Sequence, residues 1–150
     1  MKSIELLPLE AIKIGLVVKT KKEAINRMVE LAAKSKQVKH LEKVKKQVLE
    51  REELASTGIG NGVAFPHSRS NFVDSLVASF AILKTPLDFD AIDGKPVKII
   101  FLLLSREGNI GKQLRHLSMY SRILSIPENQ EKLLKANNEV EIFEFFNAIE

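Results

Sequence analysis

Residues 51–69 read REELASTGIGNGVAFPHSR, from Arg51 to Arg69, and the rest of the chain is legible from this stretch outward. Three of the seven glycines fall inside it, with an arginine at each end. Polar and glycine residues crowd Ser56 to Gly62, after which Val63-Ala64-Phe65 runs apolar into Pro66-His67. That order predicts a loop or turn feeding a short strand whose end presents His67. Proline fixes its own φ and biases the preceding Phe65 to extended geometry, so the imidazole is delivered at a set angle. A histidine on a rigid strand end suits nucleophilic work.

Length and composition bound what that histidine can serve. A chain of 150 residues is one domain by length, residues 1–150, with enough chain to bury a core. Hydrophobic residues at 45% and charged residues at 28% are those of a soluble globular protein. There is no cysteine, which excludes disulfides and thiolate metal sites. Met1-Lys2-Ser3-Ile4-Glu5 lacks the apolar core of a signal peptide, and no run reaches the roughly 18 apolar residues of a membrane helix. A cytoplasmic location without membrane insertion is expected. The net charge of +4 is concentrated in Lys19–Lys22 and Lys34–Lys46. Interspersed glutamates and the lack of aromatics among those lysines favour a solvated helix face over a nucleic-acid surface.

Residues 1 to about 18 read as a lead-in, with a strand over Ile14–Val18. Thr20-Lys21-Lys22-Glu23 has capping-box spacing, and Ile25, Met28, Val29 and Ala32 continue a helix to about Lys36. Leu41–Leu54 is a second helix with Leu41, Val44 and Val48 inward, and Arg51 lies near its end. Leu76–Leu83 reads as a buried strand. Thr85–Lys95 reads as a loop with a hairpin-type signal at Asp93-Gly94. Val97–Leu104 is apolar enough to be a central strand covered on both faces. Helices are expected over Gln113–Leu124, from a capping box and an early proline within Ser125–Glu128 to Ala136, and after Asn138 with Ile142, Phe145, Phe146 and Ile149 inward. The order predicts an α/β single domain: an α/β/α sandwich with a mixed β-sheet flanked by helices on both faces.

At Ser56-Thr57-Gly58-Ile59-Gly60-Asn61-Gly62 with Pro66-His67, and at Thr85-Pro86 through Phe89-Asp90-Ala91-Ile92-Asp93-Gly94-Lys95-Pro96-Val97, the chain resembles a known family. These are the enzyme IIA domains of the bacterial phosphoenolpyruvate-dependent phosphotransferase system, fructose/mannitol type, and the likeness is strongest to the nitrogen-regulatory branch. The resemblance covers nearly the whole chain and implies the same sandwich fold. It implies that His67 accepts a phosphoryl group from the phosphocarrier HPr or a paralogue, and that phosphorylation regulates target proteins. Two alternatives stand beside that: a sugar-specific subunit handing the group to a IIB domain, and a protein-binding module that is never phosphorylated.

A neutral imidazole is the nucleophile, and about three quarters of an unperturbed histidine is neutral at pH 7. Arg51, sixteen residues before His67, aligns with the family's active-site arginine, and its guanidinium fork matches phosphoryl oxygens. Arg69 is a secondary candidate. The run Thr57, Gly58, Gly60, Asn61 and Gly62 lacks a P-loop's Gly-Lys-Ser/Thr ending and is followed by a strand, so no nucleotide cofactor is expected. It reads instead as a turn that brings backbone near the phosphoryl group or a partner. His40, His67 and His116 have no ligand spacing, and Asp88, Asp90 and Asp93 fit no calcium loop, so no metal is expected. One departure from the family pattern stands out. Gln113 occupies the position of the family's second histidine, and His116, one turn on, is a candidate substitute.

Overall fold

The computed structural model describes residues 6–149; Met1–Glu5, read above as lacking a signal-peptide core, lies outside them. Strand β1 is Ile12–Leu16, two residues earlier than expected, because a single 3-10 turn at Leu9–Ala11 feeds directly into it. Helix α1 (Lys21–Ala33) begins at the predicted box: the Thr20 hydroxyl accepts from the Glu23 N–H at 3.1 Å, and the Glu23 carboxylate accepts from the Lys19 N–H at 2.8 Å. Helix α2 (Leu41–Leu54) has the expected bounds. Its buried row is Val44, Val48 and Glu52, so the inward spacing of four residues ends on a carboxylate.

Where a loop or turn is expected over Ser56–Gly62, the structure has a turn with an additional short strand before it. Gly58–Gly60 is strand β2, Val63–Ala64 is β3, and the two form a tight antiparallel hairpin. Its turn is Asn61-Gly62, with φ of 57° and 81°, the left-handed pair that a two-residue hairpin requires. His67 does not end β3 but opens its own strand, β4 (His67–Ser70). Strand β5 is Val77–Leu87, absorbing Thr85–Leu87 from the expected loop, and β6 is Val97–Arg106. They pair antiparallel across residues 88–96, where Gly94 has φ 70° and donates its N–H to Ala91 O.

The sheet order is β1-β5-β6-β3-β2, with β4 also on β6. β1 runs parallel to β5, and β3 and β4 run parallel to β6, so the sheet is mixed. Val63 pairs with Ile99 and His67 with Leu103, the same offset, so β3 and β4 are one strand broken at Phe65-Pro66. Pro66 has no N–H to give the ladder, but its carbonyl still accepts from Leu103 N at 3.1 Å.

Three further helices complete the chain: α3 (Ile110–Ser125), α4 (Pro127–Leu134) and α5 (Glu139–Ala148). α3 starts three residues before the expected Gln113. The box at Ser125 is not formed; the Ser125 hydroxyl donates to Arg122 O, and Pro127 opens α4 instead. Asn138 caps α5 by accepting from Glu141 N. Within α5, Ile142 and Phe146 are buried, whereas Ile149, the residue just after it, is exposed.

Both faces of the sheet carry a core. α1 and α2 cover Ala81, Ile100, Leu102 and Leu104, and α3–α5 cover Phe80, Phe101 and Leu103. Successive side chains of β6 point to opposite faces and both are covered, which is why Ile99–Leu104 is continuously apolar.

Gly58 packs so closely on the 88–96 loop that a methyl group there would lie 2.8 Å from Ala91 Cβ and 2.9 Å from Ala91 Cα. Gly58→Ala should therefore lower unfolding free energy by about 1–3 kcal/mol. Gly111→Ala, in the first turn of α3 with open space around it, should be neutral or raise it by up to ~1 kcal/mol. Urea midpoints of the two variants check this; equal shifts would show that the Gly58–Ala91 approach is not limiting.

Candidate functional site

The break at Phe65-Pro66 shapes the site. Phe65 is buried, its N–H donates to Thr57 O at 2.9 Å, and its carbonyl faces the His67 ring. His67 Nδ1 lies 2.9 Å from that carbonyl. A carbonyl only accepts, so Nδ1 carries the proton and, in the neutral ring, Nε2 keeps the free lone pair.

Two adjoining clefts of about 240 Å³ each share His67 and Arg51 as lining residues. One is completed by Ser68, Arg69, Glu107 and Gln113 with the apolar Ile110 and Leu114. The other includes Thr57, Ile59, Leu117 and Ser121. Arg51 and Arg69, from the end of α2 and from β4, thus reach the same cleft as the imidazole. Arg51 is steadied by donating from Nη1 to Ala55 O at 3.2 Å. A larger depression, about 730 Å³, is lined by residues that include Lys21, Lys46, Glu50, Glu52 and Asp90 but not His67. Size alone does not mark the chemistry here.

The other residues singled out from the sequence are placed as follows. Gln113 is buried one turn into α3, its backbone N–H bonded to Asn109 O and its side-chain Nε2 donating to Ser68 O at 2.8 Å. It lines the cleft but is not in the first turn of the helix, because α3 begins at Ile110. His116 is also buried, but its Nδ1 bonds Lys112 O and its ring lies against Tyr120 at 6.5 Å; it lines neither cleft. Thr57 is buried and bonds Glu52 through both its N–H and its hydroxyl. Gly58, Gly60, Asn61 and Gly62 line neither cleft. They build the hairpin and its seat on the 88–96 loop, where Asn61 N donates to Asp93 Oδ2 at 2.9 Å. Sequence reasoning missed Ser68, Glu107 and the apolar Ile110 and Leu114, which only the docking of α3 beside β4 brings together. It also missed Glu52, which a continued spacing of four from Val44 and Val48 would have flagged.

Burial is the largest influence on His67 and pushes its pKa below the ordinary 6.5. The bond to the Phe65 carbonyl raises it, Arg51 lowers it, Glu52 raises it and Arg69 lowers it further. The outcome is a ring held neutral, and so nucleophilic, at neutral pH.

Fold and site together define an α/β protein that presents a neutral imidazole, its proton held on Nδ1, in a shallow cleft flanked by guanidinium groups. Residues 5–149 match the family model described as "Phosphoenolpyruvate-dependent sugar phosphotransferase system, EIIA 2". The chain is 37% identical over 131 residues to a nitrogen regulatory protein of Bradyrhizobium diazoefficiens, covering 86% of this chain and 84% of that one. It is 33% identical over 147 residues to the fructose-specific EIIABC component of Bacillus subtilis, covering 98% of this chain but only 23% of that longer protein. The crystal structure of the nitrogen regulatory protein IIA-Ntr of Neisseria meningitidis superposes with a TM-score of 0.89 at 33% identity, over 95% of this chain and 97% of that one. The chain belongs to the EIIA type-2 family of the phosphotransferase system, whose members are phosphoryl-transfer components. No helix among the described residues is long and apolar enough to cross a membrane.

The charge balance predicts a titration. By nuclear magnetic resonance, the His67 midpoint should fall below 6.5 and rise in Arg51→Gln, because a positive neighbour that opposes protonation is removed. A folded value below the unfolded one means more protons bound when unfolded, so stability rises with pH between the two values. The His67 contribution is therefore complete above about 6.5 and lost as pH falls through the depressed midpoint. A midpoint at or above 6.5 would contradict this balance.

Proposed function

We propose that His67 is the phosphoacceptor, taking a phosphoryl group on Nε2 from an HPr-type phosphocarrier, and that the protein acts as a phosphorylation-dependent regulator of target proteins. The observation that carries the reading is the 2.9 Å bond from Nδ1 to the Phe65 carbonyl, which leaves Nε2 as the one ring nitrogen able to attack. In the transfer, the Nε2 lone pair forms a bond to phosphorus while the bond from phosphorus to the donor's imidazole breaks. The electrons of that bond return to the donor ring, so no nucleotide or metal is needed. Arg51 and Arg69 face the charge that spreads over the equatorial oxygens. The apolar Ile110 and Leu114 form an exposed rim at the cleft's edge.

A second reading, transfer onward to a IIB domain for fructose-type sugar uptake, draws on the likeness to the fructose-specific EIIABC component. Mixing the phosphorylated protein with a IIB domain separates the two: a rapid drain of phosphate favours the sugar role, and retention favours the regulatory one.

With phosphoenolpyruvate, enzyme I and HPr, the wild type should gain an acid-labile, base-stable phosphate that His67→Ala lacks in mass spectrometry. Arg51→Lys keeps the charge but loses the fork, and a charge-assisted hydrogen bond contributes about 1.5–3 kcal/mol, so single-turnover transfer should slow about 10- to 100-fold. An unchanged His67→Ala mass shift would remove the assignment.

Gln113 provides a separate test. A histidine there can satisfy Ser68 O with one ring nitrogen and offer the other, able to take charge, to the cleft. Gln113→His should speed transfer several-fold with little change in stability, and His116→Ala should matter less than Arg51→Lys. Rapid-quench rates decide it; loss of transfer in His116→Ala alone would make His116 the second active histidine.

A further inference from the structure

Glu52 is the one buried acidic residue among the described residues, its side chain 4% exposed. Its position is unfavourable on general grounds. It sits in the last turn of α2, where the helix already presents the negative end of its dipole, and it is removed from water. Three donors offset this. Oε2 accepts from the Thr57 N–H at 2.7 Å and from Lys21 Nζ at 2.8 Å, and Oε1 accepts from the Thr57 hydroxyl at 2.6 Å. Lys21 is itself anchored, donating to Phe89 O at 3.1 Å and lying 4.7 Å from the centre of the Phe89 ring.

The bonding continues from Thr57 to the reacting ring. Thr57 O accepts from Phe65 N–H at 2.9 Å, and Phe65 O accepts from His67 Nδ1–H at 2.9 Å. The carboxylate is therefore two residues removed from the imidazole along an unbroken hydrogen-bonded path, Glu52 to Thr57 to Phe65 to His67. Arg51, its neighbour in sequence, lies on the same end of α2.

We propose that Glu52 is a positioning residue for phosphoryl transfer: by clamping Thr57 it holds Phe65 so that the Phe65 carbonyl keeps the His67 proton on Nδ1. This deepens the phosphoacceptor reading of His67 and rests on it. If Thr57 is released, the Phe65 carbonyl loses its fixed direction and the ring proton is free to move to Nε2. A ring protonated on Nε2 has no lone pair there to attack phosphorus. Glu52 does not line the cleft, so it touches the ring only through Thr57 and Phe65, while its charge also favours the imidazolium across space. Spectra taken above the His67 midpoint keep that second effect out of the tautomer readout.

The test uses Glu52→Gln and Thr57→Val in the full chain with nitrogen-15 imidazole labels. Spectra of the unphosphorylated protein, taken above the His67 midpoint, read which ring nitrogen holds the proton. Single-turnover transfer from phosphorylated HPr reads the rate, and urea unfolding reads stability separately. The wild type should show the Nδ1–H form. Glu52→Gln, whose amide places an N–H against one of three donors, should mix the two forms and slow transfer on the order of 10- to 100-fold. Thr57→Val keeps its backbone bond to Glu52, so it should shift both readouts the same way by less. Rate and tautomer must move together: either one changing alone, or a loss of stability with both unchanged, overturns the proposal. Should Glu52→Gln fail to fold, Thr57→Val decides on the same two readouts. A wild type that takes no phosphoryl group overturns the phosphoacceptor reading and the role of Glu52 with it. A wild type that takes it, with both variants at its tautomer and rate, overturns the positioning role alone.

Discussion

The structure depends on how β6 is paired. On one side it forms a long antiparallel ladder with β5; on the other it holds β3 and β4 parallel and in a single register across Pro66. That unbroken offset makes the His67 backbone position a property of the central sheet rather than of a loop. Two cores, one on each face, hold β6 in place, so displacing His67 means displacing apolar side chains on both sides. Proline at the break removes one backbone donor, and the Phe65 carbonyl just before it accepts from the imidazole.

Around the ring, desolvation and positive charge act in one direction. Burial disfavours the imidazolium, and so do Arg51 and Arg69, while Glu52 and the Phe65 carbonyl pull the other way. The same guanidiniums that add to burial in disfavouring the imidazolium line the cleft beside the ring. In the proposed phosphoryl transfer, the charges that disfavour the imidazolium are the ones that would stabilise the transferred group. Glu107 lines the same cleft.

The end of α2 brings stability and site geometry together. Val44 and Val48 pack into the core beneath the sheet, and the next position on that face is a carboxylate rather than a third apolar residue. Its three donors come from the segment just beyond the helix and from the start of α1, so the helix end, the hairpin and α1 are tied at one point. The glycine-rich run beyond it works in backbone geometry. Gly58 allows close approach to Ala91, and Asn61-Gly62 turns the chain back into β3.

By itself the sequence determined the two-sided sheet, because Val97–Leu104 is apolar at every position except Lys98 and such a strand needs cover on both faces. It determined the bounds of α2, the cap at Thr20, and the pairing of His67 with Arg51, since a helical period and a signature stretch are local patterns. Local pattern stopped short at Asn61-Gly62: the run read as a loop or turn, but the strand β2 before that dipeptide went unread. Only the tertiary structure decided that β3 and β4 are one strand, because register is set by bonds to β6, some 36 residues away in sequence. It alone placed His116 against Tyr120 and Gln113 beside Ser68, although the two are three residues apart on one helix. The direction in which α3 packs on the sheet selects which of its faces meets the cleft, and no spacing within the helix carries that choice.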